Sequence, residues 1–259
     1  MLQLVKLTAR ISFCCPIYVA KTPVTDGYIC SGSGNLIQLN FMKRTRILAN
    51  KNTLIDRFVS ELRDVEIQKD KMRFRRNLER IGEILAYEIS KEFPFKNKEV
   101  KTPLGIAIVP EPAEEPVVAT ILRAGLPLHQ GVLNYFDRGD STFISAYRMP
   151  HTEDGKFEIK IEYMASPSLN DRIVILTDPM LATGLSMVLA YEALLTKGNP
   201  KHVHIVAAIG STEGLNYTLS KLPENVTIWL AALDDELTAH SYIVPGLGDA
   251  GDLAFGIKE

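Results

Sequence analysis

The chain has 259 residues, of which 46% are hydrophobic and 23% are charged, with a formal net charge of -2. This balance is typical of a globular protein with a sizeable core, and it argues against a general nucleic-acid binder, although local sites for small anions stay open. The sequence contains no run of about 18 apolar residues, so we predict neither a transmembrane helix nor a membrane partner.

The first 41 residues differ in composition from the rest of the chain. They contain a Ser-Gly-Ser-Gly run and a single acidic residue, Asp26. We expect a poorly ordered N-terminal extension or a start upstream of the natural one, for which Met42 is the better candidate. A targeting leader and an accessory element are the alternatives. The leader is disfavoured because Pro16 interrupts the apolar stretch 11–20 and no clear cleavage site follows.

All three cysteines, Cys14, Cys15 and Cys30, lie in this extension. An odd number of cysteines, two of them adjacent, does not predict a disulfide framework. A reducing compartment is the simpler interpretation, and we expect a cytoplasmic protein.

Two helical patterns follow the extension. Apolar residues at helical spacing predict an amphipathic helix over 54–62 and a second one over 74–89, which ends near Pro94. We interpret the arginines between the apolar positions of the second helix as a solvated face, with contact to an anionic ligand or a partner subunit as the alternative. The segment 98–116 is rich in Pro and Glu and predicts a loop with one short strand at 104–109.

The run V-V-A-T-I-L at 117–122 predicts a buried strand, and Arg123 follows directly at its end. This position is unusual because charged side chains are rarely buried unless they are paired. Arg123 therefore either binds a phosphate group bidentately or forms a structural salt bridge.

Two further strands are predicted at 141–147 and 157–163. Arg148 follows the first of them, and the segment 149–156 between them is polar and rich in turn residues. The pattern predicts a hairpin whose tip acts as a lid over a site.

The stretch I-V-I-L-T-D-P-M-L-A-T-G-L-S at 173–186 combines a strand, a carboxylate and a turn. Its β-branched apolar run predicts a strand that is buried on both faces of a parallel sheet. Asp178 comes where such a strand ends, which is where open α/β sheets bind ligands. The small, hydroxyl-bearing turn at 182–186 leads into a helix, and the unpaired N–H groups at a helix start form an anion site. The stretch therefore predicts a carboxylate for sugar hydroxyls and a cradle for a phosphate.

Strand and helix patterns continue to alternate after this stretch. We predict strands at 203–209 and 226–232 and a helix at 212–220. This alternation predicts an α/β fold with a central, mostly parallel sheet flanked by helices, formed by one domain over 42–259.

The tail contains a glycine-rich loop in which Gly246, Gly248 and Gly251 spell G-x-G-x-x-G. We reject a dinucleotide site because no βαβ unit surrounds the motif. Glycines at these positions would instead let the backbone approach a flat ligand closely. The sequence also lacks P-loop, C-x-x-C, H-E-x-x-H and G-x-S-x-G motifs, so we expect no metal cage built from protein side chains.

Three separated segments together resemble one family. D-P-M-L-A-T-G at 178–184 is similar to the phosphoribosyl-pyrophosphate (PRPP) binding segment of type I phosphoribosyltransferases. I-L-R-A-G-L at 121–126 and Y-I-V-P-G-L-G-D-A-G-D at 242–252 resemble the pyrophosphate loop and the uracil-binding signature of uracil phosphoribosyltransferases. The helix at 72–88 also resembles that family, and the resemblance covers about 54–259. Three motifs in the same order are more specific than any one of them.

The resemblance implies the type I phosphoribosyltransferase fold, with a hairpin lid and a C-terminal hood. It also implies the reaction of uracil with PRPP to give UMP and pyrophosphate, a step of pyrimidine salvage, with Mg²⁺ carried mainly by PRPP. We expect a homo-oligomer, a dimer or higher, and no nucleic-acid partner. A nucleotide-sensing regulator on this fold and a phosphoribosyltransferase for another nucleobase are the alternatives.

The resemblance further assigns roles to individual residues. Arg123, Asp178 and Asp249 are implied as catalytic. The implied PRPP-binding residues are Arg123, Arg148, Asp178, Pro179, Met180, Leu181, Ala182, Thr183, Gly184, Leu185, Ser186 and Asp249. The implied uracil-binding residues are Ile243, Gly248, Asp249 and Ala250, which would act largely through backbone atoms. Leu185 stands where the family often has a second small residue.

Overall fold

The computed structural model describes residues 43–148 and 159–257, with residues 146–148 and 159–161 described as backbone only. The predictions for the extension 1–41 and for the lid at 149–156 lie outside the described residues and stay predictions.

The described chain alternates between strands and helices. The strands are β1 (Thr45–Ile47), β2 (Phe95–Thr102), β3 (Gly105–Pro112), β4 (Val117–Leu122), β5 (Asp140–Arg148), β6 (Ile159–Ala165), β7 (Ile173–Thr177), β8 (Met180–Leu181), β9 (His202–Ser211), β10 (Val226–Asp234), β11 (Glu236–Leu237) and β12 (Ile243–Val244). The helices are α1 (Leu54–Arg63), α2 (Lys71–Ser90), α3 (Leu126–Leu133), α4 (Leu185–Leu195), α5 (Thr212–Lys221) and α6 (Ala250–Phe255), with a short 3-10 turn at Ile67–Lys69. Among the helices of these ranges, none is long and apolar enough to cross a bilayer.

The central sheet has the strand order β1-β10-β9-β7-β4-β5-β6, with β8 paired beside β9. Neighbouring strands are parallel except for β5 and β6, which are antiparallel. The predicted central, mostly parallel sheet is therefore confirmed.

Alternate residues along the strands face opposite sides of the sheet, as the pleat requires. Val118 and Ile175 belong to a core that also contains apolar residues of α1, α2, α3 and α6. Their neighbours Val117 and Val174 belong to a second core with α4 and α5. Because both faces are covered, these strands are apolar at nearly every position, which is why the sequence reveals them.

Asp70 caps α2 by accepting hydrogen bonds from the N–H groups of Met72 and Arg73.

The arginines of α2 are more than a solvated face. Arg75 donates to the Ala254 carbonyl in α6 at 2.6 Å, and its guanidinium lies 5.9 Å from the Phe255 ring centroid. One arginine of this helix thus holds the C-terminal helix in place.

The expectation of a loop over 98–116 is wrong except for its one short strand at 104–109, which overlaps β3. Strands β2 and β3 form an antiparallel hairpin with a register from Phe95↔Pro112 to Thr102↔Gly105. Leu104 lies in its turn and is 100% exposed, and Ile106 and Ile108 are 71% and 67% exposed. Pro and Glu are poor strand formers in general, but an exposed two-stranded ribbon tolerates charged residues and terminal prolines.

The order in which the chain adds strands to the sheet reverses between β4 and β7. The chain passes from β4 to β5 on one side, and from β7 to β9 and β10 on the other. β4 and β7 are adjacent, with a register from Val117↔Val174 to Thr120↔Thr177. Ligands of open α/β sheets bind outside the carboxyl ends of the strands at such a switch point.

A buried histidine lies at the first core. His204 is 2% exposed and accepts a hydrogen bond at Nδ1 from Trp229 Nε1 at 3.1 Å. Burial, with smaller contributions from His202 and Arg46, lowers the pKa of His204 to about 3. The imidazole is therefore neutral in the folded protein across the mildly acidic range.

We predict that His204 makes the free energy of unfolding fall by about 2 kcal/mol between about pH 6.5 and pH 4.5. Over this window the unfolded imidazole takes up a proton and the folded one does not, so acid favours the unfolded chain. Urea denaturation at both pH values measures the change. His204→Gln keeps an acceptor for Trp229 but does not titrate, so its loss should be smaller by about that amount. An equal loss in both proteins would contradict the prediction.

Candidate active site

A cavity of about 670 Å³ opens at the carboxyl ends of β4 and β7. Three segments form most of its wall: the loop after β4, the segment from the end of β7 to the start of α4, and the loop that leads into α6, with further residues from β5 and from the turn before β12. The lining residues are Ile121, Leu122, Arg123, Ala124, Ser145, Asp178, Pro179, Met180, Leu181, Ala182, Thr183, Gly184, Ser186, Met187, Ser241, Tyr242, Gly248, Asp249, Ala250 and Gly251.

The loop after β4 packs closely against β7. The Thr177 hydroxyl donates to the Ala119 carbonyl at 3.0 Å. A Cβ at Gly125 would lie 2.2 Å from Thr120 Oγ1 and 2.9 Å from the Thr177 carbonyl. Only glycine fits at this position, and the close approach fixes Arg123 at the cavity wall.

Arg123 reaches the C-terminal segment. Its Nη2 donates to Asp252 Oδ1 at 3.0 Å and to the Gly256 carbonyl at 2.5 Å. The structural salt bridge, one of the two alternatives from the sequence, is therefore present. The N–H groups on Nε and Nη1 donate to no group in the described part of the chain. Since a guanidinium carries five donors, Arg123 can keep this salt bridge and still bind an anion.

The turn at 182–186 has the geometry of an anion site. Gly184 has φ 79° and directly precedes α4. The N–H groups of Ser186 and Met187, in the first turn of that helix, make no hydrogen bond to other described residues. The positive end of the helix dipole adds to these donors. Leu185 does not line the cavity, and its N–H lies 3.4 Å from Thr183 Oγ1.

This turn is fixed against α5. The Ser211 hydroxyl donates to the Ala182 carbonyl at 2.5 Å, and a Cβ at Gly214 would lie 2.1 Å from the same oxygen. A Cβ at Gly184 would lie 2.4 Å from Thr218 Oγ1. The N–H groups of the turn are thus held in place before any ligand binds.

Asp178 lies where β7 ends and lines the cavity. Its backbone N–H donates to the Val206 carbonyl at 3.1 Å. The carbonyl of the following residue, Pro179, accepts hydrogen bonds from the N–H groups of Ala208 and Ile209 at 3.1 and 3.0 Å. The Asp-Pro pair is therefore tied to β9, and the carboxylate projects from a rigid support.

The C-terminal loop brings Gly248, Asp249 and Ala250 to the cavity, whereas Ile243 does not line it. Ile243 is 4% exposed and packs in the first core. Gly248 has φ 92° and is exposed. Asp249 Oδ1 accepts a hydrogen bond from the Asp252 N–H at 3.0 Å and so caps α6.

Arg148 ends β5, where its backbone pairs with Ile159. The placement of its side chain lies outside what is described, so its predicted contact with PRPP stays a prediction.

The sequence missed several residues of the cavity wall. Ser145 and Met187 are single small or apolar residues within regular elements, and no local pattern distinguishes them. Tyr242 and Gly251 lie inside the glycine-rich segment that the sequence singled out, so its chemistry offered a signal for them.

Comparison with known proteins identifies the family. The family model for uracil phosphoribosyltransferase matches residues 49–257. A uracil phosphoribosyltransferase from Porphyromonas gingivalis is 56% identical over 211 residues, which cover 82% of this chain and 97% of that protein. One from Methanothermobacter thermautotrophicus is 38% identical over 189 residues, 72% of this chain and 85% of that protein. The solved structure of the AQ2163 protein from Aquifex aeolicus has a TM-score of 0.73 at 32% identity, and the match covers 82% of this chain and 98% of that one. The resemblance expected from three motifs is confirmed.

We predict that Gly184→Ala lowers the free energy of unfolding by about 2 kcal/mol, because the new Cβ meets α5 and a non-glycine residue is strained at positive φ. Denaturation in urea measures the change. Gly105→Ala is the matched control, since a Cβ there meets nothing within 4 Å. The control should stay within about 0.5 kcal/mol of the parent protein. Equal stability of the two variants would contradict the prediction.

Proposed function

The chain belongs to the uracil phosphoribosyltransferase family of pentosyltransferases, and we propose that its cavity binds PRPP and uracil side by side. The phosphoribosyl group is transferred to N1 of uracil, which gives UMP and pyrophosphate. One observation carries the proposal: the three loops that resemble family motifs meet at one cavity, with Arg123, Asp178 and Asp249 on its wall.

The transfer exchanges one bond for another at the anomeric carbon of the ribose. The bond from C1′ to the pyrophosphate oxygen breaks, the bond from N1 to C1′ forms, and the N1 proton is released. Positive charge builds on the ribose while the pyrophosphate takes negative charge. The protein needs no covalent intermediate, so we attribute catalysis to positioning and electrostatic stabilisation.

For PRPP, the rigid turn at 182–186 and the start of α4 support a role in holding the 5′-phosphate, because the N–H groups of Ser186 and Met187 make no hydrogen bond to other described residues. The Asp178 carboxylate, at the end of β7, would accept hydrogen bonds from the ribose hydroxyls. The remaining N–H groups of Arg123 would bind the pyrophosphate. Arg148 is proposed as a second pyrophosphate contact from the sequence resemblance.

For uracil, we propose recognition by backbone atoms of Ile243 and of Gly248, Asp249 and Ala250. The Ile243 side chain is buried in the core, so only its backbone is available to a ligand. Gly248 is exposed and has no side chain, so its peptide groups are accessible to a ligand. Asp249 would lie between the base and PRPP.

Magnesium is proposed to be carried mainly by PRPP. Mg²⁺ prefers six oxygen ligands, commonly one or two carboxylates together with substrate phosphates and waters. The cavity offers the carboxylates of Asp178 and Asp249. Within the described ranges no group of three or more His, Cys, Asp or Glu could hold a metal ion. This donor set fits an ion that arrives with its substrate. When bound, the ion would offset charge on the leaving pyrophosphate.

We also propose a homo-oligomer in a cytoplasmic location. The apolar side chains of Leu104, Ile106 and Ile108 on the β2–β3 hairpin are exposed, and burial against a second copy would remove them from water. The cysteine pattern supports a reducing compartment.

We predict that Arg123→Ala and Asp178→Asn each lower kcat/KM for PRPP by at least about tenfold, because each removes a group that would stabilise the transition state. Pyrophosphate release from Mg²⁺-PRPP with uracil is the measurement. The controls are Arg172→Ala and Asp140→Asn. These two residues form an ion pair with a distance of 3.0 Å between Nη2 and Oδ2, and neither lines the cavity. Rates near those of the controls would remove the proposed roles.

We predict strong rejection of cytosine. Uracil presents acceptor, donor and acceptor at O2, N3 and O4, whereas cytosine has a donor at position 4 and no donor at N3. Each of the two mismatched buried groups costs about 1–3 kcal/mol, so kcat/KM for cytosine should be lower by roughly 30-fold or more.

A panel of nucleobases with Mg²⁺-PRPP tests this prediction and the alternatives together. Comparable kcat/KM for uracil and cytosine would contradict backbone recognition. Faster turnover of a purine would identify a phosphoribosyltransferase for another base. Binding of PRPP without turnover of any base would indicate a regulator.

A further inference from the structure

An ion pair between Arg63 and Asp234 lies beside the C-terminal loop but outside the candidate cavity. Arg63 ends α1 and Asp234 ends β10, 171 residues further along the chain. Nη1 and Nη2 of the guanidinium donate to Oδ2 and Oδ1 of the carboxylate at 2.7 and 2.6 Å. The two side chains are 24% and 6% exposed. Bidentate geometry and partial burial make this a stronger and better oriented contact than an ordinary surface ion pair.

The same pair binds both polar groups of the Gly246 backbone. The Gly246 N–H donates to Asp234 Oδ2 at 3.0 Å, and its carbonyl accepts from Arg63 Nη1 at 3.0 Å. Nη1 also donates to Oδ2, so the side chains and the glycine form a closed ring of hydrogen bonds. Each of the three bonds restrains the geometry of the other two.

Gly246 is the fixed point of the loop between β12 and α6. Across 245–248, the hydrogen bonds to other described residues are both made by Gly246, and both go to the pair. The glycine has φ 58°, and a Cβ there would lie 2.0 Å from the Ile243 carbonyl. Leu247 is 4% exposed and packs in the first core, so this contact and apolar burial together position the loop.

We propose that Arg63 and Asp234 are positioning residues for base recognition, acting through Gly246 on the backbone of Gly248 and Ala250. This inference rests on the proposed assignment of 248–250 to uracil. Hydrogen bonds weaken steeply with poor distance or angle, so a site that reads a base with backbone atoms requires a backbone held in one place. A small displacement of bound groups can cost a large factor in rate.

If the ion pair instead stabilised the whole fold, its loss would have different consequences. The loops after β4 and β7, which form the proposed PRPP half of the site, make no hydrogen bond to either residue in the described part of the chain. Loss of the pair should therefore weaken the use of uracil and leave the use of PRPP intact. A general loss of stability would affect both substrates alike.

Two conservative variants test the proposal in the full-length enzyme. Asp234→Asn places an amide donor against Arg63 or the Gly246 N–H, both of which are donors. Arg63→Lys keeps the charge but loses the bidentate contact and the bond to Gly246. Steady-state assays measure KM for uracil, KM for PRPP and the ratio of kcat/KM for uracil to that for cytosine. Melting temperatures are recorded alongside.

We expect KM for uracil to rise about tenfold or more in both variants, a loss of about 1.4 kcal/mol in binding terms. The preference for uracil over cytosine should fall, and KM for PRPP should change less than about twofold. Arg44→Lys is the matched control. Arg44 is a partly buried arginine that donates to the carbonyls of Val226, Leu219 and Leu222, away from the loop. It should lower the melting temperature without raising KM for uracil.

Unchanged KM for uracil, or equal increases for both substrates, would overturn the proposal. The proposal would also be overturned if Arg44→Lys raised KM for uracil in proportion to the fall in its melting temperature. If Asp234→Asn does not fold, Arg63→Lys carries the test, and its melting temperature shows that the assays report on folded enzyme. Failure of the proposed function is distinguishable, because the parent enzyme would then not turn over uracil with PRPP.

Discussion

The pairing of β4 with β7 is the contact on which the rest of the molecule depends. The two strands are adjacent and parallel, and the chain continues from them toward opposite edges of the sheet. Hydroxyl groups of Thr120 and Thr177 cross between the strand ends and hold them together. Because the strands are parallel, their carboxyl ends open at the same edge, and Arg123 and Asp178 reach one cavity. Every other part of the site is arranged around this edge.

The cavity wall consists largely of backbone that packs against neighbouring elements on its far side. Gly125 and Gly184 lie where a methyl group would overlap neighbouring atoms, so both loops pack as closely as a backbone allows. The hydroxyl of Ser211 fixes the turn at 182–186 from the side of α5. Donors that are already in place need no reorganisation when a charged substrate binds, and this is the physical basis of electrostatic catalysis.

Arginines from three different elements hold the C-terminal segment 235–257. Arg63 binds Gly246, Arg75 binds the carbonyl of Ala254, and Arg123 binds Asp252 and Gly256. The segment contains two-residue strands and one short helix, so little of it is held by regular backbone hydrogen bonding. Directed cationic contacts to its carbonyls and carboxylates supply what regular structure does not. The half of the site proposed for the base thus depends on residues far from it in sequence.

The sequence by itself determined the buried strands and the loops that line the candidate site. Strands covered on both faces show continuous apolar runs, and the glycine-rich and acidic motifs identify their loops by local chemistry. The sequence predicted a strand at 104–109, but only the tertiary structure decided its pairing with β2 in a hairpin, because neither strand is buried enough to carry a continuous apolar run. It alone decided the partners of Arg63 and Arg123, which lie 171 and 129 residues away. Periodicity reports which face of an element is buried, whereas a long-range ion pair depends on the order of strands in the sheet.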